Sequence, residues 1–193
     1  MIKDMYSLYY NDNIIDDETK SFIETWHYSK SARSLKQQHV FKLVDKITDQ
    51  LVGVAIYGQP MSRHHDKDII ELRRLCLIDD TPRNTESYFI SKTLKWLDKN
   101  TDYSMVISFA DPNHGHAGTI YKASNFEYDG LESNGNPRVV QYGDKQIHMR
   151  QYYQKRDGDY TANALELQAA VAKGDAEIIK QERKHKYTYY FRS

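Results

Sequence analysis

The sequence of 193 residues contains a single cysteine, so an internal disulfide is impossible and a reducing, cytoplasmic location is the natural expectation. Cys76 lies between Leu75 and Leu77, a setting that favours a core side chain over a nucleophile. No apolar run approaches the ~18 residues of a membrane span, and no signal-peptide pattern opens the sequence. We therefore expect a protein of the cytoplasm without a membrane partner.

An excess of charge is also absent, because 27 basic residues balance 27 acidic ones. This neutrality argues against a strongly basic nucleic-acid binder. The charge is uneven along the chain, however, since residues 178–193 hold five basic residues and one glutamate. This tyrosine-rich end could contact DNA through Lys184, Lys186 and Tyr187, and a solvated charged face is the alternative interpretation.

Hydrophobic periodicity and turn signals predict a single α/β domain over residues 1–193. The predicted elements are a helix after residues 16–18, a hairpin at 39–45 and 51–59, a strand at 69–78, a helix at 84–100, a strand at 105–110, a short helix at 119–123 and a strand at 125–128. A second hairpin at 138–142 and 146–153 follows, then two helical pieces within 161–183 and a strand at 185–191. Residues 157–183 would thus form a small helical insertion before the last strand.

The junction after residues 105–110 carries the densest group of candidate site residues. Asp111-Pro112-Asn113 ends the apolar run, and two glycines precede the short helix that holds Tyr121. Ligands bind at such strand tips in α/β sheets, so we expect Asp111, His114, His116 and Tyr121 to lie around one site. The alternative is a turn in which the aspartate and asparagine act only as caps.

Two arginines interrupt the apolar strand at residues 69–78. Regular alternation would place Arg73 on one face with Glu71, and Arg74 on the other face. A buried arginine is costly unless it meets an anion, so this position indicates function rather than folding. Arg73 could hold an anionic group of a donor or substrate, and the alternative is a buried ion pair with Glu71 or Asp111.

The helix predicted at residues 84–100 begins after a polar loop. The free N–H groups at its start face Arg83, Asn84 and Thr85, which makes an anion site by geometry and partial charge.

The order of elements resembles that of GNAT-type acyltransferases, whose central sheet is mixed, mostly antiparallel and splayed, with helices on both sides. This resemblance implies an acetyl-coenzyme A or related acyl donor, with its phosphates at Arg83, Asn84, Thr85 and Ser87. The usual phosphate loop is rich in glycine, and residues 79–85 contain none. An acyltransferase acting on a protein or small-molecule amine is one function that fits, and the neutral charge supports it.

A closer resemblance rests on motifs that occur in order along the chain. They are His27-Tyr28-Ser29 after a tryptophan, Glu71-Leu72-Arg73-Arg74-Leu75, Asn84-Thr85-Glu86-Ser87, Ala110-Asp111-Pro112, Gly118-Thr119-Ile120-Tyr121 and Lys184-His185-Lys186-Tyr187. This set resembles the Mom DNA-modification proteins of bacteriophages. The resemblance implies an enzyme that converts adenine in phage DNA to an N6-carbamoylmethyl derivative and so protects the DNA from host restriction. It also implies double-stranded DNA as partner, an association with iron, and a functional set of His27, Tyr28, Arg73, Ser87, Asp111 and Tyr121.

The chemistry of adenine fits these residue types. Its N6 amine is a poor nucleophile, so a carboxylate near N6 and a base held outside the stack would help. Asp111 could accept from N6–H, and Tyr28 or Tyr121 could stack on the flipped base or donate a proton. A third alternative is a non-catalytic module that binds DNA or a restriction enzyme, which has no need of Asp111 and Tyr121 at a strand tip. The sequence leaves open the target context, the metal and the choice between monomer and homodimer.

Overall fold

The structure is a computed structural model that describes residues 2–32, 37–60, 66–133, 135 and 137–191. The chain folds into two compact units. The larger unit comprises Met1–Ala110, His116–Leu131 and His185–Ser193, and the smaller comprises Asp111–Gly115 and Glu132–Lys184. The single domain expected from the sequence stays a prediction.

The elements follow the predicted order closely. The larger unit begins with α1 (Ile2–Met5), β1 (Tyr6–Asp12), α2 (Asp17–Trp26), β2 (Gln37–Asp45), β3 (Leu51–Gly58), β4 (Ile69–Leu77), α3 (Thr85–Asn100), β5 (Met105–Ala110), α4 (Thr119–Ala123) and β6 (Glu127–Leu131). The smaller unit contains β7 (Arg138–Tyr142), β8 (Lys145–His148), α5 (Met149–Tyr152), β9 (Lys155–Arg156), β10 (Asp159–Tyr160), α6 (Ala162–Lys173) and β11 (Ala176–Lys180). The chain returns to the larger unit with β12 (His185–Tyr190).

The sheet of the larger unit has seven strands in the order β1-β2-β3-β4-β5-β12-β6. Only β4 and β5 pair in parallel, and the other neighbours among the described strands are antiparallel. This confirms the predicted mixed, mostly antiparallel sheet.

Helices cover both faces of this sheet because its strands alternate between two apolar clusters. Phe89, Ile90 and Leu94 of α3 pack with Phe41 and Tyr57 on one face. Phe22 and Ile23 of α2 pack on the other face with Val40, Ile56 and Cys76. Val40 and Ile56 are the sequence neighbours of Phe41 and Tyr57. Burial raises the pKa of the Cys76 thiol to about 12, which confirms the predicted core role of this residue.

The start of α2 also follows the prediction. The Asp16 side chain accepts a hydrogen bond from the Thr19 amide at 2.8 Å, and Asp17 and Glu18 lie in the first turn, where the helix dipole favours acids. None of the helices in the described part of the chain is long and apolar enough to cross a membrane.

The smaller unit contains a three-stranded sheet in the order β11-β7-β8. Val140 of β7 packs against Leu167 and Ala170 of α6 and against Ala176 of β11. The first predicted helical piece is therefore right, but the second is wrong because residues 176–180 form a strand paired with β7. The second strand of the predicted hairpin is shorter than expected, since His148 caps α5 through a bond from the Arg150 amide.

Candidate functional site in the larger unit

The parallel pair at the centre of the sheet is short. The ladder between β4 and β5 runs from Ile69 and Met105 to Leu72 and Ser108, although β4 continues to Leu77 and β5 to Ala110. The fully buried Ser108 hydroxyl donates to the Leu72 carbonyl at 3.2 Å, at the end of this ladder. Beyond that pair the two strands are no longer joined in the ladder, as the predicted splay requires.

A β-bulge in β4 changes which arginine faces which side. Ile56 pairs with Arg74 and Tyr57 with Leu72, so Arg73 is an extra residue in the strand. As a result, Leu72 and Cys76 lie in opposite apolar clusters, where regular alternation predicts one face. The predicted grouping of Arg74 with Leu72 is therefore wrong.

Arg73 and Arg74 differ in their surroundings. Arg73 donates from Nη1 to the Gln59 carbonyl at 3.1 Å. Arg74 donates from Nη1 to the Arg73 carbonyl at 2.7 Å, and its buried Nε has no hydrogen-bond partner among the described residues. Burial lowers the pKa of Arg74, while the nearby Tyr28 and Glu71 favour its charged form. The sequence drew attention to Arg73, but the incompletely satisfied guanidinium is that of Arg74.

Tyr121 lies in α4, which begins after Gly118 in the left-handed conformation, with φ +72°. Burial raises the pKa of Tyr121 to about 12, although the neighbouring Ser108 hydroxyl acts in the opposite direction. The neighbouring Tyr28 and Glu86 raise it further. Tyr121 is therefore a neutral phenol at physiological pH and can act as a proton donor but not as a base.

The segment after α2 presents a second tyrosine. His27 is buried, and its Nδ1 accepts from the Ser29 amide at 3.1 Å, so the proton of the neutral ring lies on Nε2. The Tyr28 ring is 42% exposed and lies 4.3 Å from the His27 ring and 5.1 Å from the His116 ring, measured between centroids. Because an electrostatic interaction also links Tyr28 to Tyr121, both predicted tyrosines belong to one neighbourhood.

The backbone before α3 adopts a left-handed conformation although its loop contains no glycine. Asn84 precedes the helix with φ +71°, and asparagine is the residue that best tolerates this left-handed conformation after glycine. The Asn84 side chain makes no cap hydrogen bond, whereas Thr85 and Ser87 donate their hydroxyls to Pro82 and Asn84 carbonyls. The N-terminal amides of this 16-residue helix, together with the turn at Asn84, thus form a site that suits a phosphate group.

A cleft of about 490 Å³ adjoins this helix start, lined by α3 and by the end of α4. Ser124, which is 7% exposed, contributes a buried Oγ without a hydrogen-bond partner among the described residues. The helix N-terminus in this cleft is a group that fits a coenzyme A phosphate. A comparable site for iron is not present among the described residues, because no three of their His, Cys, Asp or Glu side chains are grouped to hold a metal ion.

The larger unit therefore brings together part of the predicted set. His27, Tyr28 and Tyr121 form one neighbourhood, which Arg74, Glu71, Ser108 and His116 join. Ser108 was missed, and its signal was a single hydroxyl within the apolar run MVISFA. Glu71 gave a similar signal as a carboxylate, 9% exposed, within an apolar strand.

The burial of Tyr187 does not fit its predicted contact with DNA. Its ring is 1% exposed because β12 pairs with β5 on one side and β6 on the other. Its hydroxyl donates to the Ala117 carbonyl at 2.9 Å, so this tyrosine supports the turn before α4 and has no surface for DNA. Lys186 forms an ion pair with Asp129 at 2.5 Å. DNA contact by Lys186 stays a prediction.

Asp111 belongs to the smaller unit, where its side chain acts as a cap. Its Oδ1 accepts from the Asn113 amide at 3.0 Å and from the Asn113 side chain at 2.9 Å. Its Oδ2 lies 3.4 Å from His114 Nδ1 and 3.6 Å from Lys184 Nζ. Burial opposes the ionisation of Asp111, but these partners outweigh it, so the pKa of Asp111 lies below its usual value. Both the catalytic role of Asp111 and the DNA contact of Lys184 stay predictions.

The fold, with its splayed strands, is similar to that of GNAT acetyltransferases. A Bacillus subtilis acetyltransferase in complex with CoA aligns over 96% of this chain and 98% of its own, with a TM-score of 0.54 and 8% identity. An IAA acetyltransferase from Bacillus cereus gives 0.55 over 96% and 99% at 8% identity. The ribosomal-protein-S18-alanine N-acetyltransferase from Escherichia coli gives 0.52 over 97% and 96% at 11% identity. At such identities the similarity concerns the fold alone.

The family is narrower than the fold. The family model of the Mom protein family matches residues 9–193, and the chain belongs to that family. The methylcarbamoylase mom of Escherichia phage Mu is 32% identical in an alignment of 123 positions that covers 58% of this chain and 49% of that protein. The match thus spans about half the length of this curated relative.

Proposed function

We propose that this protein modifies the N6 amine of adenine in phage DNA so that it carries a carbamoylmethyl-type group, and that it binds an acyl-coenzyme A type donor for this reaction. The modified DNA would then resist host restriction enzymes in the host cytoplasm. Membership of the Mom family and the name of the phage Mu relative support this reaction class. The observation that carries it in the structure is the Tyr121 hydroxyl, which lies beside Ser108 at the end of the β4–β5 ladder.

Tyr28 and Tyr121 have different roles in the proposed reaction. Tyr28 exposes nearly half of its ring and is the face on which a flipped base can stack. Tyr121 holds a proton on Oη throughout the physiological range and can deliver it to the leaving group of the donor. Arg74 supplies a positive charge next to Tyr28 and could attract an anionic group there.

The donor would be held by the start of α3. Its free amides, with Arg83, Asn84, Thr85 and Ser87 around them, would bind the pyrophosphate of the coenzyme. The left-handed Asn84 supports this assignment, because it supplies the turn that a glycine provides in the usual loop.

The test is the nucleoside composition of DNA from cells that express the protein. We expect a mass-shifted deoxyadenosine with the wild-type chain and none with Tyr121→Phe, measured on DNA digested to nucleosides. Tyr142→Phe is the matched control, because Tyr142 lies in β7, is exposed and has no proposed role. Unmodified DNA together with acetylated protein or amine in the same cells would replace this function by the acyltransferase alternative.

A further inference from the structure

Cations collect at one end of the three-stranded sheet in the smaller unit. Because the strands of this sheet are antiparallel, β7 begins there with Arg138, β11 ends there with Lys180, and β8 ends there with His148. Arg150 follows two residues after His148, in α5, and its amide donates to His148 Nδ1 at 3.0 Å. Positive side chains of three separate elements therefore lie at the same end of one small sheet.

Arg138 and Lys180 are direct partners in the ladder between β7 and β11. Their side chains therefore leave the sheet on the same face, with Cβ atoms about 5 Å apart, and two like charges in that position destabilise a sheet. Both side chains are exposed, and neither forms an ion pair with the residues that the structure describes. This pair of cations lowers the stability of the unit without a compensating contact inside it, and such a conflict indicates function.

Lys184 extends the same cationic region beyond the end of β11. The pKa of His148 is lowered by burial first and then by the nearby charges of Arg150 and Lys184. Lys184 Nζ lies 3.6 Å from the Asp111 carboxylate, yet 42% of its side chain is exposed. Lys184 can therefore reach a ligand on the surface while it compensates the buried charge of Asp111.

The charge of the small sheet is unevenly distributed between its ends. The end with Arg138 holds five cations and three carboxylates, namely Arg138, Arg150, Lys180, Arg183 and Lys184 with Asp111, Glu132 and Glu182. The turns at the opposite end contain one lysine and one aspartate each, Asp144 with Lys145 and Lys173 with Asp175. Three strands at a spacing of about 4.8 Å spread the cations over about 10 Å, which is wider than one phosphate group. A polyanion can contact them together, whereas one small anion cannot.

We propose that this basic sheet end, defined as Arg138, Arg150, Lys180 and Lys184, binds the phosphate backbone of double-stranded DNA. The choice of DNA as the polyanion rests on the proposed function. A duplex carries one negative charge per about 1.7 Å of its axis, so neighbouring phosphates can contact several of these cations at once. Charge-assisted hydrogen bonds from Arg138 and Lys180 to phosphate oxygens would offset the repulsion between the two side chains. Such contacts position a duplex without reading its sequence.

Fluorescence anisotropy of a labelled duplex of about 20 base pairs, measured with purified protein at several salt concentrations, tests this surface. We expect the double variant Arg138→Gln and Lys180→Gln to bind roughly tenfold or more weakly at about 0.1 M salt. The slope of log K against log salt should decrease in magnitude by about two, which is about one for each lost phosphate contact. The melting temperature of this variant should stay the same or rise, because a repulsion between two cations is removed.

The double variant Lys145→Gln and Lys173→Gln is the matched control. It removes the same number of positive charges from exposed side chains that form no ion pair with the described part of the chain. These lysines belong to the opposite end of the sheet, about 13 Å away along β7, which exceeds the Debye length of about 10 Å at 0.1 M salt. The control should therefore keep the wild-type affinity and salt slope. Equal losses in both double variants, or no loss in Arg138→Gln with Lys180→Gln, would overturn the proposal.

Two further ligands test the choice of partner. Single-stranded DNA and duplex RNA of the same sequence carry the same kind of phosphate group as the DNA duplex. We expect the DNA duplex to bind most tightly of the three. Tighter binding of either competitor through Arg138 and Lys180 would show that this surface has a different partner.

Modification assays separate the surface from the proposed reaction. In an active protein, the double variant at Arg138 and Lys180 should raise the KM for DNA and leave kcat nearly unchanged, because these side chains only hold the duplex. Duplex binding that depends on these two residues, in a protein that leaves adenine unmodified, would support the surface and refute the reaction. Modified adenine together with wild-type duplex binding by the double variant would support the reaction and refute the surface.

Discussion

Lys184 Nζ lies 3.6 Å from Asp111 Oδ2, and the carboxylate of that pair is almost completely buried. A lysine predicted to contact DNA thus compensates the charge of an aspartate predicted to be catalytic. The neighbouring groups are His114, in contact with the same oxygen, and His148, whose pKa is lowered by burial and by nearby charges including Lys184. Lys184 therefore affects whether Asp111 ionises.

The first prediction concerns the pH dependence of stability. The pKa of Asp111 is lowered in the folded chain, so its contribution to stability is present above the unfolded pKa and is lost as the pH falls through the lower folded value. Lys184→Gln removes one cause of the lowering, so the contribution should be smaller and its loss should be complete at a higher pH. Thermal melts between about pH 7 and about pH 3 measure it.

Lys186→Gln is the control for this comparison. Its ion pair with Asp129 is more exposed, so solvent screening should make its effect smaller. Superimposable stability profiles for the wild-type chain and Lys184→Gln would show that the Asp111 pair has no influence.

The second prediction separates a catalytic Asp111 from a capping one. Asp111→Asn keeps an acceptor for the Asn113 amide, so the stability loss should be on the order of 1 kcal/mol. A catalytic carboxylate should nevertheless lose roughly 10²-fold in modified adenine per genome. Lys184→Gln breaks the same ion pair and leaves the carboxylate in place. If both variants lose activity equally, the ion pair matters and the carboxylate does not itself react.

The third prediction compares two glycines in the same backbone conformation. A Cβ on Gly118 would lie 2.2 Å from the Tyr187 ring, whereas a Cβ on Gly115 would meet nothing within 4 Å. Both have positive φ, so Gly115→Ala should cost about 1 kcal/mol of unfolding free energy. Gly118→Ala adds a clash with a buried ring and should cost about 1–3 kcal/mol more. Denaturant unfolding of both variants measures the difference, and equal costs would contradict the close packing.

Local patterns predicted the elements well where the signal lies within one segment. The acidic start of α2 at residues 16–18 and the Asp111 turn were both visible in the sequence. The bulge at Arg73 was not, because an extra residue in one strand shows only in its pairing with β3. This one extra residue places Arg74 and Cys76 on the face opposite to Leu72, whereas simple alternation would place all three on the same face.

Pairing partners also explain the other two errors. Residues 176–180 read AEIIK, a composition that suits a helix, but pairing with β7 outweighs that preference. Tyr187 belongs to a central strand that is flanked by β5 and β6. The sequence of a tyrosine-rich strand does not show whether the strand is central or at an edge, and therefore does not show which of its tyrosines face solvent.

The fourth prediction compares the neighbouring arginines of β4. Arg74 is the arginine near Tyr28 and Glu71, and its Nε lacks a partner among the described residues. Arg74→Lys should therefore reduce DNA modification more than Arg73→Lys, because lysine cannot reproduce the planar guanidinium. Modified adenine per genome measures both, with thermal melts to show that each variant folds. A greater loss of DNA modification in Arg73→Lys than in Arg74→Lys would instead indicate that Arg73 is the anion-binding residue.

The last prediction concerns the Tyr121 hydroxyl. Tyr121→Phe keeps the ring, which lies 5.3 Å from the Tyr187 ring and 5.5 Å from the Phe126 ring between centroids, so the stability should change by less than about 1 kcal/mol. The rate should fall by roughly 10²-fold if this hydroxyl donates a proton. Ser108→Ala leaves the phenol in place but removes a neighbouring hydroxyl that affects its pKa, so the rate of this variant should fall less.

The pH profile distinguishes a proton donor from a structural hydroxyl. Because the pKa of Tyr121 is raised to about 12, the donor should stay protonated and cause no alkaline loss of activity below about pH 10. Ser108→Ala alters the environment of that proton and should change the profile at high pH, whereas a structural role would leave it unchanged. The measurement is the initial rate of adenine modification with purified protein at a series of pH values. Full activity of Tyr121→Phe would show that the proton comes from another group.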